Sequence, residues 1–152
     1  MVLRIGNKDY TIEFNIEASL NQECVEVITN FMCTIPSAGT TPLQSIVDAV
    51  RDKPKTALAM FYAGLLENHG TCDGADGSVT SMADAKKLIK QYFAEHKEDG
   101  TGNYYSLYAL LIGQMEEDGF FGLIGLEQTI TELSNLVENM MQQQQTKPKK
   151  VK

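Results

Sequence analysis

Lysine and arginine are missing altogether between Glu98 and Gln145, a stretch that carries eight acidic residues. Every base beyond Lys97 lies in the last six residues, so residues 1–145 hold 9 Lys/Arg against 20 Asp/Glu, a net of −11. Such a body repels phosphate backbones, whose affinity for proteins comes mostly from neutralising bases, and this argues against nucleic-acid binding. Cysteine is also sparse. Cys24, Cys33 and Cys72 are odd in number and show no CxxC spacing, so they read as idle thiols in a reducing cytosol, not as a disulfide frame. No apolar run approaches the roughly 20 residues that cross a bilayer. The opening "MVLRIGNKDY" has no apolar signal core, so neither a membrane nor export is expected. Phosphate-cradling glycine loops of the GxGxxG or GK[ST] kind are absent as well.

What is present is patterned. "VLRIGNKDYTIEFNI" alternates, with Leu3, Ile5, Tyr10, Ile12, Phe14 and Ile16 on one face and Arg4, Thr11, Glu13 and Asn15 on the other. Gly6 and Asn7 tolerate positive φ, which makes a β-hairpin with one face to bury. A helix follows over Glu17–Ile35, striped by Leu20, Cys24, Ile28, Phe31 and Ile35. Thr41 and Pro42 open a short helix through Val50, "RDK" breaks it, and Pro54 starts "KTALAMFYAGLLEN" up to His69-Gly70. Ser81 with Asp84 caps a helix whose inner side is Met82, Ala85, Leu88, Ile89, Tyr92 and Phe93. Asn103 caps "YYSLYALLIGQMEED". After "GFFGLIG" the last helix runs from about Leu126 to Gln142, with a heptad-like seam of Leu126, Ile130, Leu133, Val137 and Met140.

The expected fold is α+β and mostly α: an N-terminal β-hairpin packed on a compact bundle of about five or six helices, with a disordered basic C-terminal tail. Residues 1–142 make a single domain, hairpin 1–16 and helices 17–142, and residues 143–152 the tail.

Candidate chemistry concentrates in "NHGTCDGADG", where His69, Cys72, Asp73 and Asp76 place one nitrogen, one sulfur and two carboxylates together. Structural zinc wants four ligands and paired Cys/His spacings, and the only other histidine is His96. A polar helix-to-helix loop is therefore expected, with no metal and no cofactor. Calcium loops starting at Asp73 or Asp99 fail, with Ala75 and Gly77, or Tyr104 and Leu110, at ligand or glycine positions. Cys72 with His96 lacks a local nucleophile motif, and "EEDG" at 116–119 reads as a solvated helix end, so no catalytic residue is assigned and no enzyme is expected. Binding fits better. "GFFGLIG" either plugs the core with Phe120 and Phe121 or offers them to a partner. The last helix, with its seam and Met140-Met141, suits another long helix. The candidate partner-binding set is Phe120, Phe121, Leu123, Ile124, Leu126, Ile130, Leu133, Val137, Met140 and Met141.

"LRIGNKDYTIEFNI", followed by an amphipathic helix and a compact helical run with a polar C-terminus, resembles the tail assembly chaperones of long-tailed, siphovirus-type bacteriophages of Gram-positive hosts. Those proteins open roughly as "ikInGKeYelkF"; here Gly6 and Asn7 stand in swapped order. The resemblance implies a non-enzymatic protein of the host cytoplasm, absent from the mature virion. It would coat the helical tape measure protein, keep it soluble and help recruit tail tube protein. It names the tape measure protein and the tail tube protein as partners, with a frameshift-extended form of the chain and a second copy as further candidates. Such chaperones are often made in two lengths by ribosomal frameshifting. Pro148-Lys149-Lys150 can be encoded CCA AAA AAG, which holds a slippery heptamer, so these residues are the candidate frameshift site. Two other readings stay open: an unrelated acidic helical adaptor or regulator, and a small metal-dependent enzyme using His69, Cys72 and Asp76.

Overall fold

The computed structural model describes residues 1–32 and 42–145 of the chain. Strands β1 (Val2–Ile5) and β2 (Lys8–Thr11) pair antiparallel, with Leu3 opposite Tyr10 and Ile5 opposite Lys8. The turn uses Gly6 alone at positive φ (61°), because Asn7 does not adopt it. Glycine at the first central position is the signature of a type II′ turn, one of the two whose twist suits a hairpin. The Gly6 N–H donates to both carboxylate oxygens of Glu95, at 2.9 and 3.0 Å, which ties the turn to a distant helix.

Beyond Thr11 the chain stays extended and buries Ile12 and Phe14 completely. Ile16 breaks the alternation by opening helix α1 (Ile16–Leu20) and is exposed. The single helix expected over Glu17–Ile35 is two: α1, and α2 (Gln22–Met32). Asn21 between them is extended (φ −77°, ψ 101°), and its side-chain oxygen accepts from the Cys24 N–H at 2.9 Å. Asparagine's short amide competes with the helical ladder in this way and starts a new helix instead. The break re-aims the stripe: Cys24 and Ile28 are buried, whereas Leu20 is 72% exposed and Phe31 52%. The rest of the stripe, at Ile35, and the cap at Thr41 lie outside the described residues.

Helix α3 (Pro42–His69) runs 28 residues, about 42 Å, and passes through Pro54, where a break was expected. An interior proline costs a hydrogen bond and roughly 3 kcal/mol. Two contacts lie beside the proline. The Thr56 hydroxyl donates to the Asp52 carbonyl at 3.1 Å. The Lys53 ammonium lies 4.8 and 4.9 Å from the rings of Tyr105 and Tyr108, on helix α5 (Tyr104–Glu117). Beyond the proline α3 is the spine of the molecule: α1, α2, α5, β2 and helix α4 (Met82–Glu95) all pack on it. Its Met60, Phe61, Ala63 and Leu65 are buried.

The caps expected for α4 and α5 form. The Asp84 N–H donates to Ser81 Oγ at 3.3 Å, and the Ser106 N–H to Asn103 Oδ1 at 3.0 Å. Helix α6 (Phe120–Leu123) sits between Gly119 and Gly125, both at positive φ, and leads into α7 (Leu126–Gln145). Residues 143–145, expected in the tail, thus continue α7. The remainder of the tail, including Pro148, Lys149 and Lys150, lies outside the described residues. At the foot of α5, Asp118 is more than a solvated terminus: its carboxylate accepts from the Phe14 N–H at 2.8 Å and from Gln114 at 2.7 Å.

The hairpin's extended continuation approaches α3 closely at Gly64. The Glu13 N–H donates to the Gly64 carbonyl at 2.9 Å, and a Cβ there would lie 2.6 Å from Ile12 Cγ2 and 3.0 Å from Phe14 Cζ. Gly64→Ala is expected to destabilise the protein by about 1–3 kcal/mol, since overpacking outweighs the helix-propensity gain. Gly113, exposed in α5 with open space around it, is the control. Gly113→Ala is expected to stabilise by about 0.5–1 kcal/mol in urea denaturation.

Candidate functional site

The His69–Asp76 cluster is the first candidate, and its geometry is structural. His69 ends α3 and is buried. Its Nε2 accepts the Thr11 backbone N–H at 2.9 Å. That nitrogen is therefore unprotonated, and the ring's proton is on Nδ1, facing Asp76 Oδ2 at 2.8 Å. Asp76 also accepts from Lys8 Nζ at 2.8 Å and from the Ser78 N–H at 2.8 Å. The imidazole is thus spent joining β2 to the loop after α3, with no ring nitrogen left for a metal or a substrate. Cys72 and His96 also face other groups. The Cys72 thiol donates to the Leu66 and Glu67 carbonyls at 3.4 Å each, while His96 pairs with Asp99 at 2.8 Å and stacks near Tyr92. Burial, followed by the charges of Glu17 and Glu67, raises the Cys72 pKa, which opposes the thiolate. Among the described residues no group of three or more His, Cys, Asp and Glu side chains is placed to hold a metal ion.

The second candidate is the apolar set near the C-terminus, which the structure divides. Phe120 is fully buried, 5.7 Å ring to ring from Phe14, and belongs to the core. Leu126 is buried too, and Phe121, Ile124 and Ile130 are half-buried against the core. Leu123, Leu133, Val137, Met140 and Met141 are exposed, Leu133 by 47% and Met140 by 61%. The seam therefore starts inside the molecule and emerges from it. Helix α7 packs mainly on the short α6, so its last three turns carry the seam, together with exposed Leu136, into solvent. At about 100° per residue, Glu132 falls beyond one edge of this stripe and Glu127 and Glu138 beyond the other. The helix has no basic residue.

Two surfaces escaped the sequence reading. Leu43, Ile46, Val47 and Val50, on the first half of α3, are all at least half exposed. Their i, i+3, i+4, i+7 spacing is visible in "PLQSIVDAV", which the sequence marks only as a short helix through Val50. The other is a groove of about 400 Å³ lined by Leu58 of α3, Lys86, Ile89, Lys90 and Phe93 of α4, and Tyr104 of α5. Residues of three successive helices, from Leu58 to Tyr104, make it, so no pattern within one helix announces it.

Asp76 gives this region a pH signature. Hydrogen bonds from Lys8 first, then Ser78 and His69, hold its carboxyl well below the usual carboxylate range. A folded-state pKa below the unfolded value near 3.9 stabilises the native state above that pH, and the stabilisation is lost as pH falls through the folded pKa. Asp76→Asn is expected to lower the urea midpoint at pH 7 and to flatten its fall below about pH 4. The two proteins should converge in acid; parallel curves would show that Asp76 carries no such linkage. The chain matches no family model, no curated protein and no solved structure.

Proposed function

We propose that this chain is a non-enzymatic assembly chaperone of the long-tailed phage kind, which holds the tape measure protein in the host cytoplasm and helps bring tail tube subunits to it. The observation that carries this reading is the emergent seam of α7: Leu133, Val137, Met140 and Met141 lie exposed along a helix whose base is anchored by buried Leu126. An apolar helical stripe standing off a folded body suits a groove or stripe on another helix, read at i, i+3, i+4 and i+7. Methionine at its outer end adapts to varied partner surfaces, as a chaperone of a long helix requires. The acidic body keeps such a complex soluble by self-repulsion. The N-terminal hairpin, in sequence and in position, supports the same family reading.

Leu133→Asp combined with Met140→Asp tests it at positions that leave the core intact. Each apolar side chain buried on binding contributes about 1.5–3 kcal/mol, so the double variant is expected to weaken association with the tape measure protein about a hundredfold or more. Circular dichroism should be unchanged. Undiminished co-purification would sink the seam as the binding surface. If the seam captures a protein outside tail assembly while the tape measure protein is ignored, the general helical adaptor reading replaces the phage one.

A further inference from the structure

The groove between α3, α4 and α5 has the chemistry that α7 lacks. Its floor is apolar, with Leu58, Ile89, Phe93 and Tyr104, the last two ring to ring at 4.9 Å and edge-on. Its rim carries Lys86 and Lys90, one turn apart on the exposed side of α4. Neither ammonium has an ion-pair partner among the described residues; in the same helix only Lys87 does, with Asp84 at 3.9 Å. Residues 1–145 hold only nine bases, and three of them fall within Lys86–Lys90. A cationic rim over an apolar floor therefore stands on an otherwise acidic surface.

We infer that this groove seats the α7 seam of a second copy of the chain. The two surfaces complement each other in both respects that matter. The seam brings exposed Leu133, Leu136, Val137 and Met140 to an apolar floor. Glu132 on one edge and Glu127 and Glu138 on the other bring carboxylates to unpaired ammonium groups. Charge pairs of this kind set register and partner choice more than raw affinity. A cavity of about 400 Å³ takes one or two seam side chains as knobs, with the rest of the helix lying across the groove. Because each copy offers one seam and one groove, the pairing closes by exchange between two copies or propagates around a ring. In either form the sticky seam is covered until a longer partner helix competes for it. The inference needs only the chain itself and holds whatever that partner is.

The test is the mass of the full-length chain by light scattering, with charge reversal on each side. The wild type is expected to associate, and to associate more weakly in about 1 M salt, where charges are screened beyond about 3 Å while the apolar contacts persist. Lys86→Glu with Lys90→Glu should weaken association by roughly tenfold or more, as should Glu132→Lys with Glu138→Lys. The chain carrying all four changes should recover it. All these positions are surface ones, and circular dichroism checks the fold. A monomeric wild type overturns the proposal. So does association untouched by the lysine changes, the result expected if two α7 seams pair with each other, Ile130 and Val137 against Leu133 and Met140 as in a two-stranded coiled coil. Failure of the fourfold variant to recover overturns it too. The lysine variants leave the seam intact and should still bind the tape measure protein, so this outcome and that of the proposed function separate.

Discussion

The fold depends on a backbone-to-backbone contact at Gly64. A two-stranded hairpin is marginal in water and cannot hold its own shape. Here its extended continuation lies directly on α3, with the Glu13 N–H on the Gly64 carbonyl and Ile12 and Phe14 sealed against the helix. Each of those side chains contributes about 1.5–3 kcal/mol on burial, which requires that no Cβ stand between strand and helix. Once the strand is seated, the other ties fall within reach. His69 meets Thr11, Asp118 meets Phe14, and Glu95 meets the turn at Gly6. The hairpin is thereby locked to α3, α4 and the foot of α5 through side chains widely separated in sequence.

The same spine divides the molecule into a packed centre and two unpacked helices. The second half of α3 is covered by hairpin, α1, α2, α4 and α5. Its first half and the outer part of α7 carry apolar stripes that nothing described in the chain covers. Leu43, Ile46, Val47 and Val50 on the one helix, and Leu133, Leu136, Val137 and Met140 on the other, thus face solvent at helical spacing on an acidic body. The polar clusters that look chemical in sequence turn out to be the joints of the packed part, with donors and acceptors matched to one another.

The α+β class, the mostly helical content, the hairpin and the capped starts of α4 and α5 were all legible in the sequence. Each is local: an alternation of period two, a stripe of period 3.6, or a side-chain oxygen three residues ahead of an N–H. Where the reading failed, competition between local and distant terms decided. Asn21 split a stripe that looked continuous, since its amide offered Cys24 a better partner than the ladder did. Pro54 did not stop α3, and the neighbouring Lys53 lies over the rings of Tyr105 and Tyr108, a long-range contact that no local pattern shows. Of the candidate binding set, sequence could list Phe120 beside Met140 but not separate them; one is core and the other solvent-facing.

By itself the sequence determined the charge of the body, the kinds of element and the seam of the last helix, because each depends on neighbours within a turn or two. Tertiary structure alone decided which part of that seam is exposed, what His69 does with its two nitrogens, and that Lys86 and Lys90 rim an apolar groove. Those properties depend on groups brought together by the packing of the hairpin, α4 and α5 on α3 and of α7 on α6, and no local spacing encodes that meeting.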